Sequence, residues 1–206
     1  MPKVDLDRID KRVSRVQHGF MEMRDEAAKL VAQTSAAESI RSAKSLYKSD
    51  KYQVRMVGVF VLGYVSAKSD EAVRFLRETV SQDGSWQVQE ILAQAFNEYA
   101  KSLGYEWAMP TIREWLGSDD PNVRRAVTEG LRIWNQRDYF RDRPDVAIEL
   151  LSKLRGDESE YVRKSVGNAL RDISRKEKEL VRKSLATWDL SNPRVKFTYG
   201  LASKFL

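Results

Sequence analysis

The 206-residue sequence contains no cysteine and a single histidine, His18. Without thiols it can form neither disulfides nor zinc–thiolate centres. One imidazole excludes a multi-histidine metal site and gives no support to a His-based catalytic triad, and His18 itself reads as a solvated side chain on a surface helix. No apolar run approaches the roughly 18 residues that a bilayer crossing needs, and the opening Met1-Pro2-Lys3-Val4-Asp5 lacks the character of a signal peptide. A cytoplasmic monomer is expected, with no membrane association, no metal and no cofactor. No segment alternates apolar and polar residues as a half-buried strand does, so the chain is read as all-α.

Charge is present but unevenly placed. Residues 121–206 hold 19 Lys and Arg against 12 Asp and Glu, whereas residues 1–120 hold 17 against 18. A basic C-terminal half favours a polyanionic partner, nucleic acid before an acidic membrane surface. The same composition also suits a merely solubilising surface with both signs interspersed.

A repeat becomes visible when the chain is stacked on one valine: YQVRMVGVFVLGYVS (52–66), WQVQEILAQAFNEYA (86–100), PNVRRAVTEGLRIWN (121–135), EYVRKSVGNALRDIS (160–174) and PRVKFTYGLASKFL (193–206). The anchors Val54, Val88, Val123, Val162 and Val195 are spaced by 34, 35, 39 and 33 residues. Three residues before each anchor stands Lys51, Ser85, Asp120, Ser159 or Asn192, and four of these five are good N-caps. Pro121 and Pro193 follow at the position where a helix tolerates proline. Apolar residues then recur with the 3.6-residue period of a one-sided helix, as in Val123, Ala126, Val127, Leu131 and Trp134. Other amphipathic stretches lie between: ESIRSAKSLY, DEAVRFLRETV, EWAMPTIREWL, PDVAIELLSKL and KELVRKSLATW. Pro110 should start or kink its helix. Residues 8–32 read as one further amphipathic helix, an N-terminal cap. The expected architecture is an α-solenoid of helix pairs over residues 1–206 as a single domain.

Opposite the apolar stripe, positions two, six and nine after each anchor point outward together. They are Met56, Phe60 and Gly63; Glu90, Gln94 and Asn97; Arg125, Glu129 and Arg132; Lys164, Asn168 and Arg171. The second helix of a solenoid pair usually lines the concave side. The later repeats would then present a polar groove whose cations Arg125, Arg132, Lys164 and Arg171 suit a phosphate backbone. A generic solvated helix face remains the alternative. Met56 and Phe60 are expected to be covered by residues 8–32, because large bare apolar patches are uncommon on monomers. Trp107, Trp115, Trp134 and Trp188 lie at core spacings.

The run from Trp86 through WLGSDDPNVRRAVTEGLRIW to EYVRKSVGNALRDIS resembles the HEAT-repeat DNA alkylation repair proteins, the AlkD-like alkylpurine DNA glycosylase superfamily. The resemblance covers roughly residues 50–206. It implies a right-handed α-solenoid of about five HEAT-like helix pairs, with duplex DNA, damaged or of non-standard structure, as partner. It also implies a catalytic pair at Trp86 and Glu90, and DNA contacts from Arg125 and from the position of Asn168. Three departures accompany it. Active members carry aspartate where this chain has Glu90, and a second tryptophan where it has Asn168. Residues 8–48 are also shorter than the usual N-terminal region and lack its Gly-Ile…Thr-Pro-Glu-Arg stretch, which helps to hold the lesion.

Those departures bear on the chemistry. A 7- or 3-alkylated purine is already cationic and a good leaving group, so the enzyme must stabilise an oxocarbenium-like sugar and position a water. Tryptophan faces add cation–π attraction of roughly 0.5–2 kcal/mol each, and arginine holds phosphate by paired hydrogen bonds. Glutamate is one methylene longer than aspartate, and a misplacement of about 1 Å can cost on the order of 100-fold. Three readings stay open at this point: a DNA-binding protein with weak or lost glycosylase activity, an active glycosylase, and a scaffold whose groove binds an acidic partner. Trp86 and Glu90 could also be plain packing and a solvated charge.

Overall fold

The computed structural model describes residues 5–206, so the reading of residues 1–4 at the start of the chain lies outside the described residues. Two compact units result, one ending at Leu103 and the other spanning Gly104–Leu206. The first contains α1 (Leu6–Val13), α2 (Met21–Gln33), α3 (Ala36–Leu46), α4 (Tyr52–Val65), α5 (Asp70–Glu78) and α6 (Trp86–Leu103). The second contains α7 (Tyr105–Leu116), α8 (Pro121–Gly130), α9 (Asp138–Asp142), α10 (Pro144–Lys153), α11 (Glu160–Ser174), α12 (Lys178–Leu185) and α13 (Pro193–Ala202). The described residues are all-α and hold no strand. The pairs α3/α4 and α5/α6 fall in the first unit, and α7/α8, α10/α11 and α12/α13 in the second.

The helix starts follow from side-chain chemistry. Asp120 accepts from the Asn122 amide, Ser159 from Val162, and Asn192 from Arg194 and Val195, each cap being worth roughly 0.5–2 kcal/mol. Lys51 makes no such bond. Apolar stripes close each core: Leu92, Leu131 and Val166 are fully buried, as their spacing predicts.

Five expectations need correction. Residues 8–32 are two helices, not one, because Gly19 adopts a left-handed φ of 83° and turns the chain between them. The apolar period runs on through the break and hides it. Glu26, fully buried on α2, then draws α1 in through Arg8 at 2.9 Å and Arg12 at 3.1 Å, with Lys29 at 3.0 Å. Burial works against its ionised form, but these three cations outweigh it and hold the carboxyl below its usual range.

Gly63 is not an outward position. A Cβ there would lie 2.7 Å from the Ala95 Cα, so the missing side chain lets α4 and α6 approach closely at this point. Met56 and Phe60 are buried, and Phe60 meets Phe20, just ahead of α2, with ring centroids 6.0 Å apart. The covering of this face by residues 8–32 is therefore as expected.

Pro110 sits inside α7, at its sixth position. The carbonyl it leaves without a donor belongs to exposed Glu106 in the first turn, where water can serve. Trp107 is 77% exposed, not core, because Ala108, Ile112 and Trp115 take the buried face of α7. Trp115, Trp134 and Trp188 are buried.

Finally, α8 stops at Gly130, well before residue 135, and Ile133 follows with φ 62° and ψ 47°. This turn drives Trp134 into the core against Phe140, with centroids 4.7 Å apart. The 39-residue spacing of Val123 and Val162 accommodates α9, and Arg132 consequently lies beyond the helix.

One element repeats without having been anticipated. Arg55, next to its anchor valine, binds Asp83 through Nε (2.7 Å) and Nη2 (3.1 Å), while Nη1 donates to the carbonyls of Ser49 and Asp50. In the second unit Arg124 binds Asp157 at 2.7 and 2.8 Å and donates to the carbonyls of Ser118 and Asp119. Each staple ties a helix start to the loop before the next repeat. The signal was Val-Arg at three anchors, with Arg55, Arg124 and Arg163 after their valines, at a position the outward-face count passes over.

Candidate nucleic-acid interface

In the first unit the candidate pair rests on a braced turn. Asp83 accepts from Arg55, from the Tyr47 hydroxyl at 2.9 Å and from the Ser85 amide at 2.8 Å. Burial opposes its charge, but Arg55, Ser85 and Tyr47 together hold the carboxyl below its ordinary value. The Tyr47 phenol is pushed well up by burial and by the adjacent Asp83 charge. Gln89 closes the same turn, its Nε2 donating to the carbonyls of Val80, Ser81 and Asp83 at 2.8–3.0 Å. Trp86 opens α6 directly on this brace, with 70% of its surface exposed. Glu90 follows one turn later on the same side and is half-buried, as are Gln94 and Asn97. An indole fixed at its root and open at its ring can lie against a sugar or base, and a carboxylate one turn away can face a cation.

In the second unit α8 packs against α11, and α11 against α13. Gly167 makes the second contact possible, since a Cβ there would stand 2.6 Å from the Leu201 Cβ. Arg125 and Glu129 project from α8, and Lys164, Asn168 and Arg171 from α11. Glu129 accepts from Ser165 Oγ at 2.8 Å and from Arg132 at 3.0 Å, so it links the two helices and also recovers the arginine that lies past the end of α8. The bond from Glu129, added to the nearby Asp172 charge, raises the Arg132 guanidinium.

Asp172 gathers three cations: Arg171 at 3.2 Å, Arg132 at 3.6 Å and Arg175 at 4.0 Å. Lys164 pairs with Glu160 at 2.7 Å, which raises the ammonium, and stands 5.8 Å from the Tyr161 ring. The expected row of cations is thus a mosaic in which carboxylates orient the bases. Asp172 and Arg175 were not foreseen, since the outward-face count stops one position short of Asp172. An arginine so held keeps further N–H groups for a phosphate. His18 is exposed between α1 and α2. No helix among the described residues is long and apolar enough to cross a membrane.

Comparison with known proteins fits this geometry. Residues 19–203 match the model of a family described as DNA alkylation repair enzyme. The chain is 47% identical to AlkD2 from Streptococcus mutans over 98% of its own length and 97% of that chain, with a TM-score of 0.95. Pseudomonas fluorescens AlkC, solved bound to DNA containing an abasic site analog, shares the fold at 23% identity and a TM-score of 0.51, with 96% of this chain and 60% of that one covered. The protein YhaZ of Bacillus subtilis (strain 168) is 28% identical over 173 residues, 69% of this chain, and the chain spans about half the length of that relative. The fold class is accordingly an α-solenoid of HEAT-like repeats.

Proposed function

The chain belongs to the DNA alkylation repair enzyme family, and on that premise we propose that it binds duplex DNA while its release of alkylated purines is weak or lost. What carries the binding is the polar face of the second unit. Arg125 and Lys164 stand on two packed helices, Arg132 and Arg171 are oriented by Asp172, and Asn168 lies among them. Charge-assisted N–H donors set at fixed angles suit phosphate oxygens, and exchange of an internal carboxylate for a phosphate needs no new fold. The DNA-bound AlkC adds that a protein of this fold can hold DNA.

The loss of activity follows from side chains. An amide at Asn168 offers no aromatic face to a cationic base or sugar. Glu90 carries its charge one methylene beyond the reach of aspartate. A binding isotherm across salt concentrations tests the interface. Arg125→Ala and Lys164→Ala should each lower the slope of log K against log salt by about 0.9. A double variant with unchanged affinity and slope would remove the assignment. Salt-independent or absent duplex binding would favour an acidic protein partner instead.

Active base excision has its own supporting observation, the open indole of Trp86 on a braced turn one step from Glu90. Release of free 7-methylguanine from methylated duplex decides it. Robust release by the wild type, abolished in Glu90→Gln, would establish the enzyme. The expected outcome is weak or no release with DNA binding intact.

A further inference from the structure

A cleft of about 310 Å³ opens in the second unit between the ends of α8 and α11, lined by Ile133, Asn135, Gln136, Asp172, Arg175 and Lys176. Several independent features make it more than a surface dent. Ile133 holds a left-handed backbone, φ 62°, which a β-branched residue rarely adopts, and it is the one non-glycine with positive φ among the described residues. Backbone strain of this kind persists only where the surroundings enforce it, and it clusters at binding sites. Here it leaves an apolar side chain 40% exposed on the cleft wall while its neighbour Trp134 is fully buried. Asn135 is 94% buried yet lines the cleft. Its side-chain amide and that of exposed Gln136 make no hydrogen bond among the described residues, so donors and acceptors face the open space. Amides open to the cleft can exchange water for the polar edge of a ligand. Arg175 and Lys176, both exposed, line the cleft, and the Arg175 guanidinium lies 4.6 Å from the Phe205 ring centre. Asp172, the carboxylate of the cleft, already carries Arg132, Arg171 and Arg175 around it, and it does not leave the site acidic.

We propose that this cleft is a nucleotide site that takes one nucleoside monophosphate unit. The phosphate lies on Arg175 and Lys176, the base lies against Ile133, and its polar edge meets the Asn135 and Gln136 amides. Each amide offers both a donor and an acceptor, so any base can be accommodated. The volume stands at the small end of ligand pockets, about 300 Å³, and admits one unit and no more. The choice of ligand rests on the nucleic-acid reading above. The cleft shares Asp172 and Arg175 with the polar face of the second unit, while Arg125 does not line it.

Calorimetric titration of the full chain with deoxyguanosine 5′-monophosphate tests the proposal, with inorganic phosphate and deoxyguanosine as parallel probes. Saturable binding of the nucleotide is expected, about tenfold or more tighter than phosphate alone, with about tenfold loss in the double variant Arg175→Gln and Lys176→Gln. Gln136→Ala, at an exposed position that should not disturb folding, should lose about threefold. No saturation, equal affinity for phosphate and nucleotide, or indifference to these variants would overturn the proposal.

The source of the unit is read by competition with a 5′-phosphorylated single-stranded octanucleotide. Displacement of the nucleotide places a strand end in the cleft, and its failure leaves the free nucleotide as ligand. Either result upholds the site. Duplex binding is measured alongside. If the nucleotide binds and duplex does not, the proposed function falls and the cleft stands; the reverse result sinks the cleft alone.

Discussion

The two units are built from the same repeat and use its outward face differently. In the first, residues two and six after the anchor of α4 are Met56 and Phe60, and α2 covers them; the ninth, Gly63, is the contact with Ala95. Only at α6 does that face open, with Trp86 and Glu90. In the second unit the same register carries Arg125, Glu129, Lys164, Asn168 and Arg171, and it stays polar and accessible over α8 and α11. What both share is the arginine staple beside the anchor, Arg55 to Asp83 and Arg124 to Asp157. The comparison separates what builds the repeat from what it carries. The staple lies at the helix start and leaves positions further along free to vary, covered in one unit and open to solvent in the other.

The largest effect is expected where this comparison is broken at the staple. Asp83 and Asp157 are 5% and 4% exposed, and their arginines 18% and 12%. Removing one acid strands a nearly buried guanidinium, which costs about 3–5 kcal/mol. Asp83→Ala and Asp157→Ala should therefore each depress Tm strongly, measured by circular dichroism or calorimetry. A third repeat provides the control. Arg163 donates to the Asp157 and Glu158 carbonyls, but its buried Nε has no partner, and Asp189 accepts from Ser191 instead. Asp189→Ala should stay within about 1 kcal/mol. Equal losses at all three aspartates would show that the staple is not the source.

Much of this was legible in the sequence because periodicity and caps are local. Val54, Val88, Val123, Val162 and Val195 fix the register, and Asp120, Ser159 and Asn192 start their helices where expected. What escaped depends on residues far apart in the chain. The turn at Gly19 is set by Glu26 reaching Arg8 and Arg12, and the early end of α8 by Trp134 meeting Phe140. Trp107 carries an apolar label and a core spacing, yet it loses the buried face to Ala108 and Ile112. Of the candidate site, the sequence placed Trp86 and Glu90 one turn apart and put Arg125 and Lys164 on helices that pack together. The partnering of Arg132 and Arg171 through Asp172 depended on where α8 ends, which no local pattern revealed.

A second test contrasts the buried and outward faces of the repeat helices. Leu92→Ala, at a fully buried position, should cost about 2–5 kcal/mol. On the outward face a change within about 0.5 kcal/mol would be usual, and Asn168→Ala should fall there. Glu129→Ala should not, since Glu129 joins buried Ser165 to Arg132 and its loss leaves that hydroxyl without its acceptor. The expected cost is about 1–3 kcal/mol. Chemical denaturation of the three variants ranks them, and a Glu129→Ala value no larger than that of Asn168→Ala would break the link between α8 and α11.

Acidity sharpens the contrast in a different way. The Asp83 carboxyl is held below its ordinary value near 3.8 in the folded protein. A folded-state pKa that is depressed contributes stability above the unfolded value and loses it as pH falls through the folded one. Stability should thus decline as pH drops below about 4, and part of that decline belongs to Asp83. In Asp83→Asn the stability gap from wild type should shrink through this window. A gap that stays constant to pH 2 would mean that the carboxylate's charge is not what the brace under Trp86 uses.

The smallest effect, and the most diagnostic of the second unit, lies at Ile133. Its left-handed backbone costs a β-branched residue about 1–2 kcal/mol, a penalty that glycine escapes. Glycine also loses more chain entropy on folding, by roughly 0.5–1 kcal/mol. The side chain is 40% exposed, so little burial is forfeited. Ile133→Gly should then be neutral or stabilising by up to about 1 kcal/mol, whereas Ile133→Ala retains the strain, loses the side chain and should be the less stable of the two. If the strained backbone serves the cleft, the same glycine variant that folds as well as wild type should bind nucleotide less tightly. Thermal melts and nucleotide titrations on one pair of variants separate these outcomes. A glycine variant that is less stable than the alanine variant would show that the turn is not strained, and the isoleucine would then owe its conformation to packing alone.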